Sequence, residues 1–167
     1  MSKKPGISTI DFHFGFGRII PSTKEAYKRE SAGISPIPER GQLVDFKSTF
    51  GGNIDTQLTG NGQFPSPHEF FIFIMQYFVG ESEYRSRDID NMAKTILDVL
   101  KGRFYHDDGQ VKTLLVGKKI DLYRIPQNFG YVAVKELRSD SDVEALKISG
   151  VERCITYYQE LKSHGFL

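Results

Sequence analysis

The apolar positions change period several times along the chain. Ile10, Phe12, Phe14 and Phe16 alternate with Asp11, His13 and Gly15, the period of two that marks a strand with one buried face. Pro21-Ser22-Thr23 then stops the ladder and offers two hydroxyls as caps. From 31 to 68 the pattern loosens. Four of the seven prolines fall there, with Gly51-Gly52-Asn53 and Gly60-Asn61-Gly62 as turn sequences. The stretch reads as a long loop or loosely held hairpins, with Ile54 to Thr59 as one hairpin arm.

Phe70 to Val79 is continuous, aromatic and β-branched, as suits a strand buried on both faces at the centre of a sheet. Helical spacing begins at Ile89 and continues through Met92, Ala93, Ile96, Leu97 and Leu100, with Gly102 placed to end the helix. Val111 to Lys119 and the segment around Tyr131 to Lys135 read as strands. Helical spacing returns through Val143, Leu146, Val151, Ile155, Tyr158 and Leu161, where Ser141 with Glu144 and Ser149 with Glu152 form capping boxes. The predicted fold is α/β or α+β: a small mixed sheet of about four strands, a central helix and a C-terminal helical extension.

A length of 167 residues fits a single domain with a core of its own. The single cysteine, Cys154, excludes an intrachain disulfide framework and fits a reducing compartment. No signal peptide follows Met1, and no apolar run reaches membrane-spanning length. The expected location is the cytoplasm. Gly15-Phe16-Gly17 lacks the third glycine of a dinucleotide fingerprint, and no phosphate-loop Gly-Lys-Ser/Thr occurs, so no nucleotide cofactor is expected.

The chemistry concentrates between 85 and 110. Asp88 and Asp90 flank Ile89 just before the helix. In an extended segment both would point to one side, with Ile89 turned into the core. Two such carboxylates can ligand Mg²⁺ or another hard cation, and Asn91 adds an oxygen. Lys94 follows Asp90 by one helical turn, on the same face. Asp107-Asp108-Gly109 lies beyond the helix and could fold back to supply a third carboxylate. Each piece also has a purely structural reading: a helix cap, surface ion pairs and a tight turn.

Taken together, Arg87-Asp88-Ile89-Asp90-Asn91, Lys94, Asp98-Val99-Leu100 and Asp107-Asp108-Gly109-Gln110-Val111 resemble the RusA family of crossover-junction endodeoxyribonucleases. The clear resemblance covers residues 85 to about 119. It implies a homodimeric, Mg²⁺- or Mn²⁺-dependent enzyme, bacterial or phage-encoded, that resolves four-way (Holliday) DNA junctions in recombination and repair. Carried over by motif position, the metal ligands are Asp88, Asp90 and Asp108, and Lys94 is the essential basic catalytic residue; Asp107 and Asn91 are additional candidates. The nuclease domain would span 1–138, with 31–68 as a loop-rich insertion and 139–167 as a helical extension. Two rival readings are a non-catalytic DNA-binding relative and an unrelated D-x-D metal enzyme.

The net charge of +1 hides a local excess, because residues 84–133 carry nine basic against six acidic side chains. Arg85, Arg87, Lys118 and Lys119 are candidate phosphate contacts, which position DNA without reading sequence. In an alternating strand only one of Lys118 and Lys119 can face DNA. Tyr27 is a candidate for stacking on an unpaired base.

Overall fold

The computed structural model describes residues 10–23, 27–30, 33–36, 41–137 and 153–167, with backbone only for 27–30 and 33–36. The capping boxes expected at 141–144 and 149–152 lie outside the described residues.

The elements run β1 (Phe12–Phe16), β2 (Tyr27–Glu30), β3 (Gly33–Pro36), α1 (Gly41–Leu58), β4 (Glu69–Tyr77), α2 (Glu81–Ser86), α3 (Ile89–Leu100), β5 (Val111–Lys119) and β6 (Phe129–Leu137). A helix over 153–163, α4, ends the chain. Four strands form a mixed sheet in the order β1-β6-β4-β5, and β2 and β3 form a separate two-stranded ribbon. β4 pairs parallel with β5 and antiparallel with β6. The parallel pair requires a crossover, which α2 and α3 supply.

β4 is the central strand that its continuous apolar sequence predicts. Its alternate residues feed two cores. Phe70, Ile72 and Ile74 face α3 and α1, meeting Met92, Ile96, Val99, Phe46, Phe50 and Ile54. Phe71, Phe73, Met75 and Tyr77 face the other way, toward Phe129 and Tyr131 of β6 and Cys154 and Tyr158 of α4. Cys154 is therefore a core residue. Gly15 belongs to the same layer: a Cβ there would lie 2.7 Å from Leu161 Cδ1, so its small size serves helix packing.

The largest departure from expectation is 31–68. β3 forms a hairpin with β2, but Gly41–Leu58 is the 18-residue α1 in place of a loop, and the predicted hairpin arm at Ile54 is the end of that helix. Leu43, Phe46, Phe50 and Ile54 are its buried stripe, at helical spacing. Gly51 and Gly52 weaken helix propensity by about 1 kcal/mol each. At Gly51 the reason is contact: a Cβ would come within 2.6 Å of Arg103 Nη2. That guanidinium crosses α1 to pair with Asp55, with Nε to Oδ1 at 2.9 Å, and donates to the Val99 carbonyl at 2.9 Å. Lys47 and Asp98 make a second tie between α1 and α3, at 3.1 Å. Burial overrides propensity.

Candidate active site

The chain leaves β4, turns through α2 and reaches Arg87 and Asp88 in extended conformation before α3 begins. The Lys118 ammonium fixes this approach from β5. It donates to the carbonyls of Tyr84 and Arg87, both at 2.7 Å, and lies 4.4 Å from the centre of the Tyr84 ring. Nearly two turns into α3, the Thr95 hydroxyl donates to the Pro21 carbonyl and meets Thr23 Oγ1, each at 2.7 Å. These bonds tie the segment after β1 to the middle of the helix.

Asp88 occupies the N-cap position (φ −89°, ψ 137°), yet its side chain makes no capping bond to the backbone. Its carboxylate instead receives Asn91 Nδ2 at 3.3 Å. Asp90 lies in the first helical turn and is exposed. The two are about 3 Å apart along the helix axis, from the 1.5 Å rise per residue. The extended geometry expected across both aspartates therefore ends at Asp88. Ile89 does not turn into the core: it is 40% exposed, because as the first helical residue it points off the buried stripe. Lys94 is half-buried on α3, one turn beyond Asp90. The positive end of the helix dipole favours negative charge at this point.

Asp107 and Asp108 lie beyond the far end of α3. The Asp107 carboxylate accepts from Gly109 N at 2.8 Å and caps a single 3₁₀ turn. Gln110 completes that turn: its side-chain oxygen accepts from His106 N and Asp107 N, and its amide donates to the carbonyls of Ser66 and His68. Asp108 makes no such cap. It is exposed, and Lys101 Nζ lies 3.3 Å from its Oδ2. Burial, then the negative charges of Asp108 and Asp98, raises the Tyr105 phenol well above its usual value.

The two acidic groups are far apart within one chain. α3 has 12 residues, so it spans about 18 Å. The sheet gives the same answer. Asp108 precedes the start of β5, whereas Asp88 is held next to its end through Lys118, and nine strand residues cover about 30 Å. Asp108 does not fold back onto Asp88 and Asp90. Among the described residues no group of three or more His, Cys, Asp or Glu side chains is placed to hold a metal ion.

The basic candidates divide. Lys118 is committed to backbone carbonyls. Lys119 is exposed, 3.2 Å from Asp121, so the alternation of the strand sends one lysine inward and the other out. Arg85 reaches back along α2 to Glu81 at 2.5 Å. Arg87 is half-buried, and its Nε has no hydrogen-bond partner. It lines a cavity of about 400 Å³ with Arg18, Asp45 and Asn128. Tyr27 falls in β2, opposite Pro36, and its side chain lies outside the described residues.

Comparison with known families matches residues 18–125, more than half of the chain, to the family described as Endodeoxyribonuclease RusA. The chain belongs to the RusA family. Membership makes it an endodeoxyribonuclease of the Holliday-junction resolvase type, with roles in recombination and repair. No curated protein matches the chain. Among the described residues no helix is long and apolar enough to cross a membrane. The matched span holds both acidic groups and ends at Ile125, before β6 and α4.

Sequence reasoning missed the supporting roles of Lys118, Gln110 and Lys101. For Gln110 a signal was present, because a glutamine three residues after an N-cap Asp is a capping-box pattern. Lys118 carried none.

Proposed function

We propose that the protein is a homodimeric, divalent-metal-dependent endonuclease that cuts branched DNA, with each active site shared between protomers. The observation that carries this reading is the separation of Asp88 and Asp90 from Asp108 by the length of α3. One protomer offers Asp88, Asp90 and Asn91 at one end, an oxygen donor set suited to Mg²⁺ or Mn²⁺. It offers Asp108 at the other end, and a single ion cannot bridge them. A two-fold axis brings opposite ends together, because whatever one protomer contributes its partner contributes in reverse.

β5 suits such an axis. It is an edge strand of nine residues with no pairing on its outer side among the described residues, and such edges pair readily with another chain. Antiparallel pairing of β5 with its copy would set the start of one strand beside the end of the other. Asp108 would then approach Asp88 and Asp90 of the partner subunit.

The roles of the residues follow. Asp88, Asp90 and the partner's Asp108 would hold the ion, which supplies Lewis acidity at the scissile phosphate. Asp107 is occupied in capping its turn, which favours Asp108 as the ligand of the pair. The Lys94 ammonium would stabilise negative charge that develops on the phosphate oxygens. Lys119 would meet flanking phosphates. Two sites related by a two-fold axis match the paired cuts that resolve a symmetric junction. The test is incubation with a synthetic four-way junction and a linear duplex of the same sequence, with Mg²⁺, Mn²⁺ or EDTA. Paired cuts in the junction that need metal support the proposal; equal cutting of both DNAs, or cutting in EDTA, refutes it.

A further inference from the structure

Seven large apolar side chains are exposed among the described residues: Val44, Val79, Ile89, Leu114, Leu122, Tyr123 and Phe166. Isolated examples are ordinary on any protein surface. Four of these share one end of the sheet. Val79 follows the end of β4, Leu122 and Tyr123 follow the end of β5, and Ile89 stands between Asp88 and Asp90. Tyr123 is 97% exposed and Leu122 is 51% exposed.

The turn carrying them is bolted down. The Asp121 carboxylate accepts from Arg124 Nε at 2.8 Å and from Arg124 N at 3.3 Å, and pairs with Lys119 at 3.2 Å. The Arg124 bonds hold the Asp121 carboxyl down at about 2. Ile125 N bonds the Asp121 carbonyl at 2.9 Å, and the Ile125 side chain is fully buried at the base of the turn. Asn128 Oδ1 accepts from Val79 N at 3.0 Å and fastens the far side of the loop to the chain leaving β4. A firmly held turn thus presents a leucine and an almost unburied tyrosine to solvent, at the same end of the sheet as Asp88. Two cations share one carboxylate there, which leaves the turn with a net positive charge.

We infer that Leu122 and Tyr123 form a wedge that stacks against bases unpaired at the branch point, with Lys119 and Arg124 facing the adjacent phosphates. The inference rests on the junction-nuclease reading and deepens it. An aromatic face offers sequence-tolerant stacking on a base, and flanking cations favour a polyanion over an apolar protein surface. A four-way junction exposes stacking faces at its centre and a continuous duplex does not, so the wedge supplies junction selectivity.

The experiment uses a four-way junction with 2-aminopurine at the branch point and a matched duplex. Wild type, Tyr123→Ala, Tyr123→Phe and Leu122→Ala are compared for binding in Ca²⁺ and for cleavage in Mg²⁺. The expected result is a fluorescence change on binding wild type and Tyr123→Phe that Tyr123→Ala abolishes and Leu122→Ala reduces. Tyr123→Ala should lose on the order of tenfold in junction affinity and keep its duplex affinity. An unchanged fluorescence response in Tyr123→Ala, an equal loss on both DNAs, or a loss explained by an altered oligomeric state overturns the wedge. Failure of wild type to cut the junction in Mg²⁺ instead overturns the nuclease reading, so the two failures are distinct.

Discussion

Lys118→Met separates a scaffold lysine from a DNA-contacting one. The Lys118 ammonium donates to the Tyr84 and Arg87 carbonyls at 2.7 Å each and lies over the Tyr84 ring. Charged hydrogen bonds contribute about 1.5–3 kcal/mol each, and an exposed cation–π contact adds about 0.5–1 kcal/mol. Methionine keeps the packing of the stem, and water reaches the part-buried carbonyls, so the net loss should fall near 2–3 kcal/mol. For a domain of this size that corresponds to a fall in Tm of about 5–10 °C. Cleavage should fall more than binding, because the lost bonds hold the backbone that enters Asp88. The salt dependence of DNA binding should keep its slope, since no phosphate contact is removed. Lys119→Met should behave in the opposite way, with stability within about 0.5 kcal/mol of wild type and a slope of log K against log salt reduced by about one. Urea unfolding and binding titrations at several salt concentrations measure both. A Lys118→Met protein as stable as wild type but with a reduced salt slope would refute the assignment.

Gly52→Ala should stabilise by about 0.5–1 kcal/mol, since the residue is helical with open space at its Cβ position; Gly51→Ala should destabilise, because it disturbs the Arg103–Asp55 pair, and urea midpoints decide both. Asp107→Ala should cost about 1 kcal/mol through the lost cap, whereas Asp108→Ala should leave the urea midpoint near wild type and abolish cleavage. His13 stacks on Tyr157 of α4, with ring centres 3.9 Å apart, and burial lowers its pKa below 6.5, with Glu160 opposing and Arg153 assisting. The folded protein therefore binds this proton less readily than the unfolded chain. The associated stability is complete above about pH 6.5 and is lost as pH falls toward the depressed value. His13→Phe should flatten the stability profile between pH 7.5 and 5.5.

The four strands of the main sheet and α3 were legible because their patterns have one meaning, whereas β2 and β3 carried no such pattern. A continuous run such as Phe70 to Val79 suits few places other than the middle of a sheet, and Ile89 to Leu100 repeats at helical spacing up to Gly102. α1 was hidden by Gly51-Gly52-Asn53, which reads as a turn because the contact of Arg103 with Gly51 is a tertiary fact. Its apolar stripe, Phe46, Phe50 and Ile54, was nonetheless written at helical spacing. The D-x-D-N and D-D-G-Q motifs pointed to the family but not to the geometry. A helix of 12 residues separates them, and the parallel pairing of β5 with β4, which places Asp108 at the opposite end of the sheet from Asp88, is a tertiary fact. The inward turn of Lys118 was invisible, since alternation fixes opposite faces without saying which lysine takes which.

Mixing two inactive variants tests the shared site most directly. Asp90→Asn and Asp108→Asn homodimers should each bind a four-way junction and fail to cut it. Unfolding and refolding them together yields mixed dimers. If the site is shared, one of the two sites in a mixed dimer combines an intact Asp90 with an intact Asp108 from the partner subunit, so nicking of a single strand should return with Mg²⁺. If each site is built within one chain, every site in the mixture carries a substitution. A mixture as inactive as its components, while remaining dimeric and bound to the junction, would contradict the shared site.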